Sequence, residues 1–157
     1  MKSIAVVITI ITLLLSASCS MKKPSLPIVG TWRLLTGTLI EKGVTTVTDY
    51  SGNKQFIKII NDTHFAFMNH DLNKGKDSAT ALFSAGGGKY SIKDSTYIEH
   101  LEYCSDRQWE NNDFQFTVTI KNDTLIQQGV EKLEGTNINR LNIEKYVRLP
   151  FDSAQGK

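Results

Sequence analysis

Glu99, His100 and Glu102 form the densest titratable cluster in the sequence. On an extended strand Glu99 shares one face with Tyr97, Leu101 and Tyr103, and His100 shares the other with Ile98, Glu102 and Cys104. The pattern leaves open which face looks inward. With the aromatic face inside, Glu99 is a buried carboxylate that needs a partner such as Arg148 or a tyrosine hydroxyl. It then either completes an internal hydrogen-bond network or meets a polar group of a ligand. With the other face inside, His100 and Cys104 are internal and Glu99 is a solvated charge at a rim. An enzyme that moves protons through Glu99 or His100 is the catalytic alternative.

Other chemistry finds little support. The chain has no Gly-x-Ser-x-Gly elbow, and a lone Cys104 beside His100 suits core packing better than a nucleophile pair. His64, His70 and His100 lack metal-ligand spacing on one strand. The loop His70 to Ser78 carries Asp71, Asn73 and Asp77, but Gly75 is misplaced for a calcium loop and no closing Glu follows. Gly86-Gly87-Gly88 stands between strand-like runs rather than before a helix, so it reads as a flexible hairpin connection and not a phosphate cradle. With 18 basic and 16 acidic residues and no basic run interleaved with aromatics, nucleic acid is not a partner the sequence suggests. No cofactor, metal or catalytic residue is expected.

The elements that would position these groups are strands. Short β-branched and aromatic runs, each closed by Gly, Asn, Asp or Ser, cover Gly30–Ile40, Thr45–Tyr50, Gln55–Ile60, His64–Asn69, Ala79–Ser84 and Lys89–Lys93. They continue through Tyr97–Cys104, Phe114–Lys121, Thr124–Val130 and Leu141–Leu149, with no convincing helical period anywhere. Asn61-Asp62-Thr63, Asp94-Ser95-Thr96 and Asn122-Asp123-Thr124 join neighbouring runs in nearly the same way, as tight polar turns that set sequential strands side by side. The Asn-x-Thr pattern in two of them is explained by turn chemistry without a sugar. A meander of about eight to ten antiparallel strands closes most readily into a β-barrel, because closure removes exposed edges. Such a barrel has room for a small ligand.

Before the strands come Lys2 and the apolar stretch Ile4 to Leu15, which read as a secretion signal ending near Ser18. Leu15-Ser16-Ala17-Ser18-Cys19 resembles a bacterial lipobox, with Ser16 where Leu is usual. That resemblance implies that Cys19 is diacylated, as with palmitate chains, and becomes the first mature residue of a lipoprotein anchored stably by several chains. Ser16 and Ser18 also suit ordinary signal-peptidase cleavage, which would leave a soluble secreted protein. Cys104 is the other cysteine of the chain, so lipid on Cys19 rules out an intramolecular disulfide, and a Cys19–Cys104 bridge is the competing state. The organisation expected is signal peptide 1–18, membrane tether 19–27, barrel 28–149 and disordered tail 150–157, with the barrel facing the periplasm.

Gly30-Thr31-Trp32 at the head of the first strand resembles the Gly-x-Trp signature of lipocalins. The resemblance implies that Trp32 plugs the closed end of a barrel and that Arg148, at the end of the last strand, lies across its indole. His64-Phe65-Ala66-Phe67, Phe83 to Tyr90, Thr96 to Tyr103 and Thr124 to Gly129 together are similar to small secreted bacterial lipocalin-like proteins of unassigned activity. The pair Tyr146 and Arg148 is similar, in reversed order, to the Arg-x-Tyr pair with which fatty-acid-binding barrels hold a carboxylate.

The leading expectation is a membrane-anchored binding module for a small hydrophobic or amphipathic ligand, with Trp32, Phe65, Phe67, Tyr97, Glu99, Phe116, Tyr146 and Arg148 as ligand-site residues. The alternatives are a barrel filled by its own side chains that acts through surface loops, and the enzyme built on Glu99 or His100.

Overall fold

Positive backbone φ angles at Lys42 and Gly43, at Asp94, and at Asn122 and Asn122's neighbour Asp123 mark the tight reversals of the chain. Two-residue turns with left-handed residues match the right-handed twist of the strands they join, so each reversal lays one strand directly against the next. At Asn61 the side chain does the same work: its Oδ1 accepts from the backbone N–H of Thr63 and of His64.

The computed structural model describes residues 26–150. The lipobox, Cys19 and the final residues therefore lie outside the described residues, as does the question of a Cys19–Cys104 bridge. Among the described residues the strands are β1 (Gly30–Glu41), β2 (Val44–Asp49), β3 (Lys54–Ile60), β4 (His64–Asp71), β5 (Phe83–Lys93), β6 (Thr96–Cys104), β7 (Asn112–Lys121), β8 (Thr124–Lys132) and β9 (Asn139–Arg148). All pairings are antiparallel and, from β3 onward, run between sequence neighbours. β9 returns to β1, from Trp32–Arg148 to Ile40–Leu141, and closes the ring. The other edge of β1 is shared: its first residues pair with β3 and its later ones with β2. The result is the expected all-β fold, a closed eight-stranded antiparallel barrel in meander order, with β2 as a flanking hairpin arm.

The glycine triplet departs from expectation. Gly86, Gly87 and Gly88 do not form a flexible connection but lie inside β5, which joins the last two residues of the expected run Ala79–Ser84 to Lys89–Lys93, while 79–82 lie outside any strand. A Cβ on Gly86 would sit 2.6 Å from the Phe67 ring, and one on Gly88 would sit 2.0 Å from the His100 carbonyl oxygen. Close backbone approach, not flexibility, is what these glycines provide. Opposite them the register slips, with Gly88 facing Leu101 and Gly87 facing Tyr103, so Glu102 is the extra residue of a β-bulge.

Leu26 and Pro27, within the stretch expected as tether, lie at the foot of the barrel, where Leu26 packs on the core and the Pro27 carbonyl accepts from Arg148. Above them Ile28, Trp32, Leu34, Ile60, Phe65, Tyr97, Val118, Leu125 and Tyr146 form a packed apolar layer.

Candidate functional site

Trp32 is fully buried and donates its indole N–H to the Ile28 carbonyl at 2.8 Å. The Arg148 guanidinium lies 4.1 Å from the centre of the indole, as the lipocalin resemblance implied. It also donates to the carbonyls of Val29 and Pro27 and pairs with Asp123. Gly30 makes room for it, since a Cβ there would stand 2.5 Å from Arg148 Nη1. The base of the barrel is thus shut, and Arg148 is committed there.

Above the apolar layer, four strands turn polar side chains inward toward one another. β3 contributes Lys58, β6 Glu99, β8 Gln127 and β9 Glu144. Lys58 donates to Glu99 Oε1 at 2.8 Å and to Gln127 Oε1 at 3.2 Å, and lies 3.9 Å from Glu144 Oε2. It also sits over the rings of Tyr146 and Phe65. Burial works against charge on this ammonium, but Glu99 and Glu144 outweigh it and hold Lys58 above its usual range. Glu144 accepts from the Tyr146 hydroxyl at 2.8 Å. Burial pushes its carboxyl up, and Glu131 and Glu99 add to this against the opposing pull of Lys58. Burial likewise raises the phenols of Tyr97 and Tyr146, with the charges of Glu99 and Glu144 reinforcing it. The Tyr97 hydroxyl is buried, and the Glu99 carboxylate acts on it.

Over this polar floor opens a cavity of about 340 Å³. Its wall carries Tyr50, Phe56, Phe67, Trp109, Phe114 and Phe116 on one hand and Glu131, Arg140 and Asn142 on the other. Phe56 and Phe67 stack at 5.6 Å, and Trp109 tilts against Phe114. Near the mouth Arg140 donates to Glu131 Oε2 at 2.8 Å and lies over Trp109, while Asn142 donates to Glu131 Oε1 at 2.7 Å.

Of the residues expected at a ligand site, Phe67, Glu99 and Phe116 reach the cavity wall. Trp32, Phe65, Tyr97 and Tyr146 belong to the packed layer beneath it, and Arg148 lies at the outer foot. The pair Tyr146 and Arg148 therefore does not meet in the cavity: two residues apart at the closed end, one supports Glu144 and the other covers Trp32. The aromatic face of β6 is the inner one as far as Leu101, but the bulge at Glu102 reverses the alternation, so Tyr103 is exposed and Cys104 faces the cavity. His100 and Cys104 consequently point to opposite faces, and His100 pairs with Asp113. At the end of β4, Asp71 accepts backbone hydrogens from Gly75 and Leu82, which holds the following loop shut.

Sequence reasoning missed Lys58, Glu144, Gln127, Glu131, Arg140, Asn142 and Trp109. One signal was available: Asn142, Glu144 and Tyr146 alternate with Leu141, Ile143 and Val147 along β9, so one face of that strand is polar and had to be placed somewhere. Comparison with models of protein families finds no match, and comparison with curated proteins finds none.

Proposed function

We propose that this chain is a lipocalin-like carrier that holds a small hydrophobic or amphipathic molecule inside its barrel and performs no turnover. The observation that carries this reading is the cavity of about 340 Å³, shut below by packed side chains and walled by aromatic rings above a polar floor. Ligand sites typically occupy roughly 300–1,000 Å³ and combine apolar walls with a few fixed polar groups. A barrel filled by its own side chains would leave no such space. The lipobox-like segment ending at Cys19 supports export and anchoring to a bacterial membrane, with the barrel in the periplasm.

Native mass spectrometry of the protein purified from its own host tests the carrier reading, with a co-purifying small molecule as the expected result. Cys104 offers a second readout, because its side chain faces the cavity. In a Cys19→Ser background an occupying ligand should slow alkylation of Cys104. A consistently empty protein whose Cys104 no extract protects would overturn the reading in favour of action through surface loops. Mass spectrometry of the mature N-terminus checks the anchor: a diacylglyceryl thioether on Cys19 is expected, and an unmodified or disulfide-bonded cysteine would refute it.

A further inference from the structure

The cavity wall sorts charge in one direction. Lys58 and Arg140 are the cations that line it among the described residues, and they face Glu99, Asp106, Glu131 and Glu144. This excess of carboxylate stands inside a chain whose formal net charge is +2, so it does not follow from overall composition. Both cations are already committed. Lys58, 3% exposed, is bonded to Glu99 and Gln127, and Arg140 is bonded to Glu131. Glu144 is left with the Tyr146 hydroxyl and a lysine 3.9 Å away that is closer to another carboxylate. It is only 14% exposed, and it looks into the space walled by Phe56, Phe67 and Phe116.

Resting on the carrier reading above, we propose that the ligand is a compact organic cation: an ammonium group on an apolar, preferably aromatic, body. The ammonium bonds to Glu144 at the floor, and the body packs among the rings. A carboxylate poorly matched by charge in a low-dielectric site is costly, and a guest cation offsets that cost. The ring faces add cation-π attraction, which gains strength when water is excluded. An anionic guest meets the reverse situation. It would find both lining cations engaged and several carboxylates nearby, which is an effective device for rejecting fatty acids.

The test is a matched series of probes on the full wild-type barrel: phenethylamine, phenethyl alcohol and phenylpropanoate, read by titration calorimetry and by protection of Cys104 from alkylation. Phenethylamine is expected to bind, the alcohol about tenfold or more weakly, and the acid not measurably. In Glu144→Gln the amine should lose about tenfold in affinity and the alcohol should be unchanged. If the alcohol or the acid binds as tightly as the amine, the cation preference is overturned while the carrier reading stands. If none of the three binds or protects Cys104, the proposal is overturned, and the host-purified protein then decides the carrier reading separately. Because the probe series is run on the wild-type protein, its outcome does not depend on the folding of the variant.

Discussion

Lys58 is buried at the centre of the barrel because three strands bring acceptors to it: Glu99 from β6, Gln127 from β8 and Glu144 from β9. A buried ion pair of this kind contributes modest net stability, but removing one partner leaves the other charged and unmatched. Lys58→Met should therefore lose about 3–5 kcal/mol in urea denaturation, and the double variant Lys58→Met/Glu99→Gln should recover part of that loss. Glu144 makes a second prediction, in pH. Its folded carboxyl titrates above the ordinary 4.5, so between that value and the folded one the native state binds more protons than the unfolded chain. Stability contributed through this group is present at low pH and is lost as pH rises through that window. Thermal melts of Glu144→Gln against wild type should show the variant gaining relative to wild type as pH rises from the carboxylate range toward neutrality. A constant difference across pH would refute the assignment.

At the level of elements, Gly30 and Gly88 are among the positions where backbone or guanidinium comes too close for a Cβ. Gly30, at φ +147°, lies under Arg148, so Gly30→Ala both strains the backbone and displaces the guanidinium from Trp32. A loss of about 1–3 kcal/mol is expected in denaturant titration, with Trp32 fluorescence reporting the displaced cation. Gly88 faces the bulge, and its substitution by Ala would push β5 away from the His100 carbonyl of β6. Gly88→Ala should cost about 3 kcal/mol, again by denaturant titration, because neither contacting backbone can yield cheaply. The bulge matters for the site as well, since it turns Cys104 inward and Tyr103 outward. A period-2 reading of β6 is right as far as Leu101 and fails beyond Glu102 for that reason.

The whole molecule is a barrel closed by β1 and β9 that stacks three inner zones: an apolar base, a charged middle and an aromatic cavity. Closure pairs β1 with β9, and it buries Tyr97 and Tyr146 deeply enough that both phenols stay protonated beyond their usual 10.0. The unfolded chain ionises them near 10.0 and the native state does not, so stability falls as pH rises above that value. Alkaline unfolding should set in there, and Tyr97→Phe, which removes one of these buried phenols, should shift it to higher pH in circular-dichroism titrations.

The local rules written into the chain determined most of the strands, the turns at Asn61, Asp94 and Asn122 and the meander order, because these follow from backbone preferences. The closed end at Gly30, Trp32 and Arg148 was legible only through its resemblance to lipocalins. Tertiary structure alone decided which face of each strand looked inward. Alternation in β3 is apolar on both faces around Lys58, and β9 turns its polar face in, because the interior holds a charged layer instead of a uniform apolar core. Side chains from β3, β6, β8 and β9 satisfy one another only once the ring closes, and no single strand carries a record of that mutual pairing.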